Sequence, residues 1–243
     1  MKIGEAIQRV QSAYSKGMQS DDSRLSNRHT YSKLRSARIR VISQQLGKKQ
    51  IVSQWCYQPI VVKLSIAPIH ECSDILSDTC KVLKSTMPIP QIFTNMDMHL
   101  IQSVTSIDGS QEYGFTSWEE LRHKKGRRYT KDIPEYFIKN GYLYVTNRKV
   151  LDLVLVTALF NDPIEAKVYS NSCGGEYISC ASYLDYDFAI DGKLEDVIIE
   201  LTINEFLYNF SQTRDDRLNN AADDTSVPQR RYNQNQRGQD TNE

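Results

Sequence analysis

Nowhere in this 243-residue chain does an apolar run approach the roughly 18 to 20 residues needed to cross a bilayer. Membrane insertion is not expected. The opening MKIGEAIQRVQSAYSKG interrupts its apolar residues with polar ones, where a secretion signal needs an unbroken apolar stretch. The chain is therefore expected to stay in the compartment that makes it. Cysteine is scarce and odd in number: Cys56, Cys72, Cys80, Cys173 and Cys180 argue for free thiols over a disulfide framework. His70, Cys72 and Cys80, with Cys173 and Cys180 further on, have the right ligand chemistry for zinc but not its pattern. Structural zinc sites pair their ligands roughly two to four residues apart in two knuckles. Thiols packed in β structure are the expectation, and no metal.

Catalytic signatures are missing as well. The sequence contains no G-x-S-x-G elbow, G-x-G-x-x-G turn, phosphate loop or H-E-x-x-H metal motif. His70-Glu71-Cys72 has the wrong order for a zinc deaminase. Only His29, His70, His99 and His123 are available as imidazole bases, and none is paired by spacing with a nucleophile. No enzyme activity and no cofactor are expected.

What the chain does have is segregated charge. Its 30 basic and 30 acidic residues cancel overall. From Ser23 to Gln50, however, every charge is positive: Arg24, Arg28, Lys33, Arg35, Arg38, Arg40, Lys48 and Lys49. From Asp185 to Glu205 the bias reverses, with only Lys193 opposing Asp185, Asp187, Asp191, Glu195, Asp196, Glu200 and Glu205. A neutral chain with one basic and one acidic segment suits self-association. A second basic cluster, HKKGRR, spans residues 123–128.

The pattern of apolar residues predicts an α+β chain. Ile3, Ala6, Ile7, Val10 and Tyr14 keep helical spacing, with Gly17 as the expected stop. A longer helix is predicted from Ser26 to Leu46, ended by Gly47. From Gln50 to Phe160, short runs of β-branched and aromatic residues alternate with turn signals. The sharpest of these is YFIKNGYLYV, Tyr136 to Val145, where Asn140-Gly141 fits a type I′ hairpin turn. Ser117 with Glu120 reads as a capping box for a short helix through Leu121, and Val150 to Phe160, nearly continuous apolar sequence, reads as a buried strand, with a helix the other reading its periodicity allows. Asp191 caps a predicted helix to Phe210 that carries two apolar stripes: Leu194, Val197, Ile198 and Leu201 on one side, and Ile199, Ile203, Phe206 and Phe210 on the other. Two covering surfaces are expected, one of them on a neighbour. Beyond Ser211 the chain is rich in Asn, Gln, Asp and Arg, a composition that does not build a core of its own. The expected division is N-terminal helices (1–49), a β-rich region (50–184), an acidic helix completing a helical bundle (185–210) and an extended polar tail (211–243).

The opening through HTYSKL, the segments KKQIVSQWCYQ and PIHEC, the YFIKNGYLYV hairpin with FNDP downstream, and LEDVIIELTINEFL together resemble the head-to-tail connector, or ring, proteins of crAss-like bacteriophages. The likeness extends over about residues 1 to 220. It implies a virion structural protein, assembled in the host cytoplasm and placed at the head-to-tail junction. The resemblance extends to the adaptor rings of short-tailed phages and so implies a twelve-fold ring seated beneath the portal and extending the DNA channel. The implied partners are further copies of the chain, the portal, other ring or tail proteins and passing DNA held without sequence specificity; no membrane is involved. The candidate protein-interface residues are Arg35, Arg38 and Arg40 of the basic helix, Ile199, Ile203, Phe206 and Phe210 of the acidic helix, and Arg230 and Arg231 of the tail. Lys124, Lys125, Arg127 and Arg128 form a candidate loop facing the DNA channel or a partner. The alternative is a nucleic-acid-binding accessory protein that uses the basic helix 24–49 and the loop 123–128.

Overall fold

In the computed structural model, Ile3, Ala6, Ile7 and Val10 lie buried along one side of α1 (Ile3–Tyr14), as their spacing requires. The structure describes residues 1–15, 25–68, 82–96, 98–124, 129, 133–146, 151–171 and 182–211. The second helix, α2 (Asn27–Gly47), starts where Ser26 accepts a hydrogen bond from the His29 amide, satisfying one of the donors that a helix start leaves open. It stops within a residue of the expected place, but Gly47 is not the residue that turns the chain. The left-handed conformation falls on Lys49, with φ 56°. The first helix likewise ends at Tyr14, ahead of Gly17, which lies outside the described residues.

Between α2 and the last helix the described residues form nine strands and two further helices: β1 (Gln58–Ile66), β2 (Val82–Ser85), β3 (Thr94–Asn95), β4 (Met98–His99), β5 (Ile101–Ser106), β6 (Gly114–Phe115), α3 (Trp118–Lys124), β7 (Glu135–Lys139), β8 (Tyr142–Thr146), β9 (Leu153–Ala158) and α4 (Pro163–Asn171). The final helix, α5 (Gly192–Ser211), is capped by Asp191, whose carboxylate accepts from the Lys193 amide. The architecture is mixed α+β.

Seven of the strands form one sheet in the order β5-β9-β1-β2-β8-β7-β6, antiparallel except for β6 on β7. Its two ends meet. The Tyr113 amide donates to Val104 at 2.8 Å, and Ser106 donates to Gln111 at 2.9 Å, so the segment entering β6 runs back along β5 and makes the sheet barrel-like. β1 divides its length, pairing with β9 from Gln58 to Lys63 and with β2 from Leu64 to Ile66. That switch lets a short sheet curl, and closure removes exposed strand edges.

Alternation fills the interior. Ile60, Val62 and Leu64 of β1, and Val154, Val156 and Ala158 of β9, point inward with Val104, Leu143 and Val145. β8 does not alternate, because both of its sides are covered. Leu143 and Val145 face the barrel, while Tyr144 stacks flat on Phe137 of β7, with centroids 4.8 Å apart, beneath Trp118 and Leu121 of α3. The expected turn is present: Asn140 and Gly141 take φ of 51° and 77° between paired β7 and β8. The capping box is present too, with Ser117 and Glu120 exchanging two bonds of 3.2 Å, and α3 runs one turn past Leu121.

A second core joins α1, α2 and α5, with Phe188 and Ile190 from the segment before α5. Adjacent residues connect it to the barrel, since Leu159 packs into the helical core and Phe160 into the barrel core. This arrangement corrects one expectation about α5. Ile198, Ile199 and Phe206 are buried, and Leu194, Leu201 and Ile203 are half-buried, all against this one core. Two helices packing on α5 cover most of the described residues of both stripes inside the subunit. Val197, Leu207 and Tyr208 remain exposed.

Candidate functional site

Arg38 occupies the position a leucine would normally take, four residues after Leu34 and four before Ile42 on the buried side of α2. It is fully buried. Its guanidinium donates Nε to the Ala189 carbonyl at 2.8 Å, one terminal nitrogen to Phe160 at 2.8 Å and the other to Cys56 at 3.3 Å. These carbonyls belong to the segment before α5, the end of β9 and the turn before β1, where the two cores meet. Burial lowers the Arg38 pKa from its ordinary value. The charge ties three chain segments together, so Arg38 faces the inside of the subunit rather than a partner.

Arg35, one turn earlier, reaches the same junction. It donates to Asp162 Oδ2 at 2.9 Å, while Asp162 Oδ1 accepts from the Tyr31 hydroxyl at 2.7 Å and from the Ile164 amide at 2.9 Å. Asp162 thereby caps α4, with Pro163 in the first helical position that suits proline. Burial alone raises the Asp162 pKa, but hydrogen bonds from Tyr31, Arg35 and the Ile164 amide outweigh it and hold the carboxyl below its ordinary value. Tyr31 moves the other way, raised by burial and by its bond to Asp162.

The lowered Asp162 pKa makes this junction acid-sensitive. The unfolded chain takes up the proton first, so the stabilisation is complete above the unfolded value of about 3.9 and is lost as pH falls through the lower folded value. Asp162→Asn should therefore be less stable than the parent at neutral pH, by about 1–2 kcal/mol. The gap should narrow on acidification, as read from urea midpoints of both proteins between about pH 7 and about pH 3. A constant gap would sink this account of the junction.

The basic and acidic segments meet partly within one subunit. Lys33 of α2 pairs with Glu205 of α5, and Arg9 of α1 lies 3.9 Å from Asp196. Of the basic-helix candidates only Arg40 projects freely into solvent. Ile199 and Phe206 are interior, and Ile203 is half-buried. The side chains of Phe210 and Lys124, and the residues Lys125, Arg127, Arg128, Arg230 and Arg231, lie outside what the structure describes, as do the tail and the cysteines other than Cys56. Cys56 is a buried free thiol. Among the described residues no group of three or more His, Cys, Asp or Glu is placed to hold a metal, and no helix is long and apolar enough to cross a membrane.

Sequence reasoning passed over an exposed apolar set. Ile51 is 95% exposed and Trp55 77%, just past the basic end of α2, and Met96 and Met98 protrude from the β3–β4 hairpin. Residues 5–225 match the family described as Phage tail ring protein 2. The chain belongs to that family. A search of curated proteins finds no match. As a phage tail ring protein it is virion-associated and assembles with other phage structural proteins.

Proposed function

We propose that this ring protein is a structural subunit of the head-to-tail connector of a crAss-like phage, seated beneath the portal, extending the DNA channel and bridging capsid to tail without catalysing a reaction. The family match over residues 5–225 carries the reading. The shape of the subunit suits it. A closed barrel and a helical layer, tied by Arg38 and Asp162, make a rigid block, and rigid blocks with exposed apolar side chains stack into rings at low conformational cost. Twelve copies would form the ring. The polar tail from residue 211 is proposed as an arm laid on a neighbouring subunit or the portal, with Arg230 and Arg231 meeting acidic grooves.

The nucleic-acid alternative has fewer cations than the sequence suggested. Lys33, Arg35 and Arg38 of the basic helix are engaged inside the subunit. Mass measurement of the purified protein, alone and mixed with its portal, separates the readings. The ring reading expects a large closed assembly or specific capture by the portal. A monomer that ignores the portal and binds DNA with steep salt dependence would overturn it.

A further inference from the structure

A ring needs a heterologous contact, in which one patch of a subunit meets a different patch on the next. Two exposed patches on this chain are complementary. The first follows α2, where the exposed Lys48 and Lys49 are succeeded within six residues by the exposed Ile51 and Trp55. Trp55 also walls a cleft of about 220 Å³ with Tyr57, Pro59, Ala166, Lys167 and Asp187, so the patch has a hollow as well as a knob. Its charge is basic on balance, with Lys48, Lys49 and Lys167 against Asp187 and Asp191, whose carboxylate is held by the Ser53 hydroxyl.

The second patch is the exposed side of α5, bordered at Asp196 by Arg9 of α1. Val197 is 43% exposed and Leu207 49%, and Asp196 and Glu200 are exposed alongside them. Lys48, Lys49 and Glu200 make no ion pair with any described residue. Asp196 has only the long contact to Arg9. Basic with a hollow and an aromatic anchor on one side, acidic with projecting aliphatic residues on the other, the two fit each other in sign and in shape.

We propose that successive copies of this chain join head-to-tail through these patches, Val197 of one copy entering the cleft beside Trp55 of the next while Lys48 and Lys49 face Asp196 and Glu200, and Leu207, about 15 Å further along α5, extends the contact. This rests on the ring reading above and adds the surface through which the ring closes. A second copy fits better than another partner because both halves of the contact, opposite in charge, are present on one neutral chain.

The test uses the full chain and reads mass by sedimentation, with circular dichroism confirming the fold of each variant. Trp55→Ser should weaken self-association by roughly 30-fold or more, the loss expected of an interface anchor. The pair K48E/K49E, and separately the pair D196K/E200K, should each stay monomeric. Mixed in equal amounts they should assemble again, because each variant then presents the charge that the other lacks. Restored assembly in the mixture excludes misfolding as the cause. If wild type and every variant form the same assembly, the proposed surface is wrong and the ring stands. If the single pairs are monomeric and the mixture is too, complementarity between these patches is refuted. If wild type itself remains monomeric at every concentration, alone and with the portal, both the surface and the ring reading fall.

Discussion

Replacing Arg38 with alanine will destabilise the folded subunit by about 3–5 kcal/mol, the penalty of breaking a buried, fully hydrogen-bonded charge arrangement. The reasoning is local. Truncation strands the carbonyls of Cys56, Phe160 and Ala189 without the donors they have in the fold. Each loss of a charge-assisted bond costs about 1.5–3 kcal/mol, partly recovered by relaxation and entering water. Arg38→Lys should recover little, because an ammonium cannot span three carbonyls in a planar fork. Urea unfolding of the purified variants measures the effect. A loss below about 1 kcal/mol would mean that the junction between the cores does not depend on this residue.

Phe206→Ala is expected to cost a similar amount, about 3–5 kcal/mol, because it opens a cavity where three helices converge. Phe206 is 1% exposed. Its ring lies edge-on to Tyr14 of α1, with centroids 6.3 Å apart, and 5.5 Å from the imidazole of His29 on α2. Leu207, the next residue on the same helix, faces outward, and Leu207→Ala should change monomer stability by no more than about 0.5 kcal/mol. The pair separates folding from assembly. The inner residue governs whether the subunit exists, and the outer one governs whether copies join. Equal destabilisation by both substitutions would contradict the orientation of α5.

These two residues also illustrate what the amino-acid order discloses. Local features were legible because their causes are local. Asn140-Gly141 meets the positive φ of a tight hairpin, Ser117 and Glu120 exchange caps within one turn, and Ser26 and Asp191 cap the helices they precede. Closure of the sheet was not legible. It depends on the segment at Glu112 and Tyr113 doubling back on β5, a pairing that the hydrophobic pattern does not mark. The basic helix misled for a related reason. On composition Arg35 and Arg38 match Arg40, yet the first caps a carboxylate, the second is interior and the third is solvated. A signal was present: Arg38 falls on the stripe of Leu34, Val41 and Ile42, where a cation must bring its own hydrogen-bond partners inside. Those partners are backbone carbonyls from distant segments, which no side-chain pattern announces. Trp55 went unnoticed because an exposed aromatic in a short irregular segment has no periodicity to violate.

For the candidate site, the sequence located the right elements and misassigned their faces. The double stripe on α5 suggested one face for the subunit and one for a neighbour, but α1 and α2 pack on it from two sides and cover most of both. What is left outward is narrower and more acidic, with Val197 and Leu207 beside Asp196 and Glu200. Reversing Arg35 and Arg38 would break the contacts at the junction between the cores as well as any contact with a partner. The charges suited to probing assembly are Lys48 and Lys49.

The most direct test of the central claim is electron cryo-microscopy of the protein assembled with its portal, read as the rotational symmetry of the averaged particles. The account predicts a closed ring of identical subunits coaxial with the portal, twelve in number, with its channel continuous with the portal's. Particles showing single subunits scattered on the portal surface, or no closed ring under any assembly condition, would contradict it.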